Sequence, residues 1–355
     1  ESDAATMDSV VLEIAANGML GSRPVQGSGW IRDPGPNLEL DFHVDVQDIP
    51  LDGRFRDALD EKGRKVIDSL NISGLGSAKV ECRREPGPDQ PTDIQLFTTV
   101  RDGSVRFSKF PYDITGLSGE LSYDSQAKYW RFANLHGWHD KGELHAGGSF
   151  RGLPEPGTLQ LSITAENANL DSDLFNALNP SSRKLWTMLQ PEGLVSLTTK
   201  IDWTNAPGQI PVIELQNVRI SDASIYPKPF PYRMTISEAR LSYKPNDPAF
   251  AGVQHCTIES LKADHGGSPI DATNCWAELS PAGYWQFHLN NLNATDLKPD
   301  DELRAALPGH WRDTLSRFSQ AGRVSVESSE LEFSGLADGT APPTAAWSLN
   351  MRLKD

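Results

Sequence analysis

The chain has 355 residues and a net charge of −15, with 48 Asp and Glu against 33 Lys and Arg. That balance excludes nucleic acid as a partner, because phosphate recognition needs a basic surface, and it opposes adsorption onto anionic lipid headgroups. No apolar run approaches the ~20 residues of a membrane-spanning helix, no secretory signal opens the chain, and three cysteines are too few for a disulfide framework.

The first regular element alternates with period two. From Leu38 to Val46 every even position is apolar and every odd one polar, which predicts a strand with Leu40, Phe42 and Val44 on an apolar face and a wet face behind. Residues 48–82 then read as a strand end, a helical insert over 52–70, a glycine stop at Gly76 and a new strand. Leu59 and Leu70 are its anchors, with Asp60 as cap and Val66, Ile67 and Leu70 as the apolar face. Phe110-Pro111-Tyr112 follows the next strand. Proline cannot donate to a ladder, so this tripeptide is expected to end one strand and turn into the next.

His136, His139, Asp140 and His145 form the best candidate for metal ligation. His139 and His145 are expected to meet across a hairpin turning at Asp140-Lys141-Gly142. The spacing matches no zinc pattern, so the expectation is histidines on a wet hairpin, with no metal and no other cofactor.

Alternation resumes through Leu144, Ala146, Gly148 and Phe150, then through Leu159, Leu161, Ile163 and Ala165. A second helical insert over 173–189 carries Leu178, Trp186 and Leu189 as anchors, with Asn179 as N-cap and Pro180 in the first helical position. Val195, Leu197, Ile201 and Trp203 line the next strand, and Phe230-Pro231-Tyr232 follows. Cys256 and Cys275 could lie opposite each other on a hairpin turning at His265-Gly266, a placement that permits a bridge but whose geometry often forbids one; Cys82 stands apart. A third insert carries Trp311 and Leu315, and an alternating strand through Met351 closes the chain.

Two unrelated landmarks keep one beat. Ala58-Leu59 returns as Ala177-Leu178, 119 residues on, and Phe110-Pro111-Tyr112 returns as Phe230-Pro231-Tyr232, 120 on. Such self-similarity predicts stacked repeats of ~120 residues. Residues 1–36 are the end of a preceding repeat, 37–152 repeat 1, 153–283 repeat 2 and 284–355 a partial repeat 3, so a segment of a longer protein is expected. No Gly-x-Ser-x-Gly elbow, reactive-cysteine context or glycine-rich phosphate loop occurs. Asp171, Asp173, Asp300 and Asp301 fall at helix starts, where negative charge favours the dipole. No enzyme is expected.

An alternating strand ending in NANLDSDLFNAL, a Trp-bearing helix followed by PEGLVSL, then a strand leading to FPY and GELSYD resembles the AsmA-like superfamily of bacterial envelope proteins. These belong with the bridge-like lipid-transfer, or repeating β-groove, proteins. The resemblance covers nearly the whole chain from about Val25. It implies a mainly β fold, a long twisted antiparallel sheet curled into an open apolar groove. It also implies phospholipid or another lipid as partner, and a periplasmic place in the envelope. Anchorage in the inner membrane and membrane contact would come through parts of the parent outside this segment. On this reading Leu40, Phe42, Val44, Leu161, Ile163, Leu197, Ile201 and Trp203 line the groove. A structural or adhesive β-repeat stalk of closed sandwiches is the alternative, as is a scaffold for outer-membrane protein assembly. Alternation alone leaves these open, because a sandwich core and a groove floor alternate identically.

Overall fold

A computed structural model of the chain describes all residues except 1–9, 21–22, 60, 109, 154, 179, 210, 229–230, 245–252, 307–311, 314–321, 337–343 and 355. The alternating runs become strands of 10 to 15 residues. The sheet opens with β1 (Val11–Leu20), β2 (Arg23–Arg32) and β3 (Glu39–Pro50). Helices α1 (Gly53–Ala58) and α2 (Glu61–Leu70) intervene before β4 (Ser73–Arg84), β5 (Asp93–Phe107), β6 (Phe110–Asp124), β7 (Tyr129–His139) and β8 (Gly142–Arg151). After β9 (Thr158–Asn169), helices α3 (Ser172–Ala177) and α4 (Pro180–Leu189) intervene again. Then come β10 (Glu192–Thr204), β11 (Val212–Ile225), β12 (Met234–Lys244), β13 (Gln254–His265) and β14 (Ser268–Leu279). Last are β15 (Tyr284–Leu297), α5 (Asp301–Ala306), β16 (Arg323–Leu336) and β17 (Thr344–Lys354).

Among the described residues each strand pairs antiparallel with its neighbours in sequence, so these 17 strands make one open meander. Helices lie after β3, β9 and β15, at intervals of six strands. Among the described residues, strands pack extensively only on consecutive strands, and no second sheet covers the first. The surface area agrees. A globular protein of 39.0 kDa exposes roughly 14,000 Å², whereas this chain exposes 21084 Å². None of the described helices is long and apolar enough to cross a membrane.

The best-buried core lies where a helix meets the sheet. Leu303 of α5 is buried with Ala223, Ile236, Ala263, Ile270 and Ala294, a row that runs in register from β11 to β15. Small side chains in that row let the helix approach. Tyr112 and Tyr232 are buried at 5% and 2% exposure, so Phe-Pro-Tyr does more than turn the chain. Phe110-Pro111-Tyr112 form the first residues of β6 and not the turn that precedes it; Phe230 lies outside the described residues.

Two expectations about the helices are corrected. Val66 is 56% exposed, so the buried side of α2 is carried by Ile67 and Leu70 and not by Val66. Leu59 and Leu178 stand one residue past α1 and α3, as their extended C-caps, both half-buried. The caps expected at Asp60 and Asn179, and the anchors Trp311 and Leu315, lie outside the described residues.

Candidate functional site: the uncovered apolar face

Register turns alternation into continuous rows. One row runs Gly27, Val44, Val80, Leu96, Tyr123, Trp130, Phe150, Leu159, Trp203, one residue from each strand of β2 to β10. Its neighbour, two residues along each strand, runs Val25, Val46, Ala78, Thr98, Leu121, Phe132, Gly148, Leu161, Ile201 and on to Ile213 in β11. Residues in register share a face, and the residues between these rows face the other way. That intervening row reads Gln26, Asp45, Lys79, Phe97, Ser122, Arg131, Ser149, Gln160, Asp202, polar except for Phe97. One face is therefore apolar and the other wet across nine strands, about 40 Å at ~4.8 Å per strand.

All eight residues expected on the apolar face are half-buried, neither sealed in a core nor free in solvent. Val44 and Trp203 share the first row, Leu161 and Ile201 touch in the second. Phe42 sits between Gly29 and Cys82, Leu40 between Ile31 and Arg84. Ile163 lies between Ala146 and Thr199, and Leu197 opposite Ala165. Two glycines let strands come close beneath large side chains. A Cβ on Gly29 would meet Asp41 O at 2.1 Å, and one on Gly148 would meet Gln160 O at 2.1 Å, under Phe42 and Leu161 respectively. The aromatic centre was not foreseen. Tyr123 stacks on Trp130 at 4.6 Å with 28° between rings, and Phe150 follows in the row. Each residue was visible as an alternating apolar position, but their meeting depends on two turn lengths.

At the helix-bearing end one local device is built three times. Asp48, Asn167 and Asp296 adopt positive φ (54°, 52° and 54°), a conformation Asn and Asp tolerate best. The ladder shifts register there, as at a β-bulge. Their N–H groups donate to Ser77 Oγ at 3.1 Å, Ser196 Oγ at 3.0 Å and Ser325 Oγ at 3.3 Å. Four residues on, the carboxylates of Asp52, Asp171 and Asp300 accept N–H groups of the first helical turn. Bulge and cap together set where each helix leaves the sheet. In the second insert Trp186 is half-buried and meets Phe175 edge-on, centroids 6.0 Å apart.

The histidines are arranged differently from expectation. His136, not His139, stands opposite His145, while His139 pairs with Gly142 at the turn. A register shift between Phe132 and Leu135 does not change the outcome: the hairpin has a two-residue turn, so position 139 must face 142. His139 is 5% exposed, stacks on Tyr112 at 3.9 Å, and its Nδ1 lies 2.6 Å from Asp113 O. Its Nε2 lies 3.6 Å from Asp171 Oδ2. His265 repeats the arrangement: it stacks on Tyr232 at 4.0 Å, Nδ1 lies 2.6 Å from Arg233 O, and Nε2 lies 2.9 Å from Asp300 Oδ2. Each trio joins a hairpin tip, a strand start and a helix cap. Burial, then the nearby Asp171 and Asp300 carboxylates respectively, push the Tyr112 and Tyr232 hydroxyls above the ordinary phenol range. At His265 burial opposes the charged ring, but the Arg233 carbonyl and Asp300 outweigh it and the pKa is raised.

The cysteines are all free. Cys256 faces Ala277 and Cys275 faces Ile258, a diagonal offset of two residues that leaves them too far apart to bridge. Burial pushes the Cys256 thiol up to about 12 and raises Cys275 and Cys82 as well, so none is an activated nucleophile. Comparison with protein-family models, curated proteins and solved structures finds no match to the chain.

Proposed function

We propose that this chain is a segment of an AsmA-like envelope lipid-transfer protein, and that its apolar face holds phospholipid acyl chains and conducts them along the sheet. The observation that carries the reading is the pair of in-register apolar rows, over which the described residues place no covering layer. A sheet with one apolar face must set that face against something. Soluble monomers rarely leave a contiguous apolar patch beyond a few hundred Å² without a binding role. The rows run across the strands, so an acyl chain lying along them would pass from strand to strand. The sheet is on the order of 77 Å wide from β1 to β17, at ~4.8 Å for each of its intervals, more than the ~40–45 Å of a bilayer. Curling of this sheet into a groove is part of the proposal.

The ~120-residue repeat belongs to the same reading. Residues 37–152 enclose β3 to β8 with two helices, and 153–283 enclose β9 to β14 with two helices. The Asx bulge, serine hydroxyl and aspartate cap recur with them. A stalk of self-closed sandwiches needs a second sheet, for which the described strands give no support. The periplasmic setting follows from the proposed family, as does membrane contact through other parts of the parent.

The test is lipid occupancy and transfer. Purified chain is analysed by native mass spectrometry and by organic extraction, and fluorescent phospholipid is followed between donor and acceptor vesicles. Co-purifying phospholipid and transfer above the protein-free rate are expected. A chain that carries no lipid and takes up none from vesicles overturns the proposal.

A further inference from the structure

We propose that His136, His145 and Glu143 form a binding site for a divalent transition-metal ion on the wet face of the β7–β8 hairpin. The site is distinct from the lipid-binding face and does not depend on it. His136 and His145 are directly opposite each other on adjacent strands, and their rings stack with centroids 4.6 Å apart and 27° between planes. Directly opposed residues on antiparallel strands hold their Cβ atoms ~4.5–5.5 Å apart, which lets two imidazoles reach one ion without moving the backbone. Glu143 lies two residues before His145 and so on the same face. Its Oε1 is 2.7 Å from His136 Nε2 and 3.1 Å from His145 Nε2. The three donor atoms lie within 4.8 Å of one another.

The metal-free arrangement points to a cation. Both Nε2 atoms converge on a single carboxylate oxygen, a place that only positive charge or hydrogen-bond donors can fill. Two imidazoles and one carboxylate match the preferences of Zn²⁺, Ni²⁺ and Cu²⁺, not of Ca²⁺ or Mg²⁺, which prefer all-oxygen sets. The site also opens to water, with His145 52% and Glu143 42% exposed, leaving coordination positions for solvent or a partner's ligand. Glu166 stands opposite Glu143 on β9 and adds negative charge. Trp138 packs edge-on against His136 at 4.1 Å and fixes its ring.

The set is not repeated in the corresponding hairpin. Counting from the hairpin tips, the β13–β14 hairpin puts Lys262 opposite Asp271 where β7–β8 has His136 opposite His145. Each hairpin keeps its tip histidine, His139 buried and His265 half-buried. Architecture therefore accounts for the tip histidines but not for the exposed pair.

Calorimetric titration of the full chain with Zn²⁺ at pH 7.5 tests this, with Cu²⁺ as a second probe read by electron paramagnetic resonance. One equivalent of Zn²⁺ is expected, with nitrogen coupling in the Cu²⁺ spectrum. His145→Ala, exposed and tolerant of truncation, should weaken Zn²⁺ by at least about tenfold, the lower end of what losing even an outer-shell partner costs. Glu143→Gln should weaken it less, and Asp140→Asn, on the buried His139 cluster, should leave it unchanged. Affinity should fall as pH drops, because protons compete with the metal for its ligands. No Zn²⁺ binding below millimolar concentration, or binding unaffected by both His145→Ala and Glu143→Gln, overturns the site.

Discussion

Ile201→Asp separates an uncovered face from a closed core. Ile201 lies between Leu161 and Ile213 in the second apolar row, is half-buried, and faces no second sheet. Full burial of an isoleucine is worth about 1.5–3 kcal/mol, so a half-buried one loses roughly 1 kcal/mol on truncation. The poor strand preference of Asp adds up to about 1 kcal/mol. Because the new carboxylate can stay hydrated beside Ile213, itself 37% exposed, no charge is sealed from water. The expected total is roughly 2 kcal/mol out of a typical ~5–15, and the variant should fold. In a closed core an unpaired carboxylate would add several kcal/mol more. Urea denaturation followed by tryptophan fluorescence measures the first quantity, and native mass spectrometry with vesicle transfer measures the second. A soluble variant with reduced lipid occupancy and slower transfer is expected. Loss of more than about 5 kcal/mol, a closed-core magnitude, refutes the uncovered face; a folded variant with wild-type occupancy refutes the row as the lipid contact.

Trp186→Ala should cost about 1–3 kcal/mol, less than the ~3–5 of a fully buried aromatic, since Trp186 is half-buried against Phe175; an unchanged urea midpoint would show that α4 is not held by it. The raised pKa of His265 contributes stability that is fully present below the unfolded value of ~6.5 and is lost as pH rises through the folded value, since the folded state binds the extra proton in that window. Denaturation midpoints between pH 5 and 9 should fall accordingly, and Asp300→Asn should flatten the slope. Thiol labelling should reach Cys82 before Cys275 in the native protein, given the burial of Cys275, and should reach all three in denaturant without reductant; a protected pair would show a bridge.

The strands were legible because their physics is local: a half-covered strand needs only period-two alternation, and Leu38 to Val46 or Leu159 to Ala165 supply it. The helical inserts were legible as segments, but α2 was rotated in the reading, since Ile67 and Leu70 suffice for so short a helix and Val66 is left to solvent. The Tyr-His-Asp trio stayed hidden for a different reason. His265 lies 126 residues beyond His139, whereas Tyr232 lies 120 beyond Tyr112. Nine residues separate β12 from β13, against four between β6 and β7, so a fixed-period comparison starting from His139 misses the match and lands on Glu259. The signal was present as histidine in the last position before each hairpin turn. Ser77, Ser196 and Ser325 carried a similar signal, each closing an Asx bulge, but a hydroxyl's partner is set by register and not by local sequence.

The pairing of every strand with its sequence neighbours alone makes length the property this architecture can change most freely. Among the described strands no crossover threads one part of the sheet through another, so two strands can be added or removed without rewiring any remaining pair. The strand that follows still runs in its original direction, whereas a change of one strand would reverse it. A block of six strands keeps direction and adds ~29 Å at ~4.8 Å per strand. Such a sheet behaves as a ruler whose graduations are hairpins, and the distance it spans can be set by counting them.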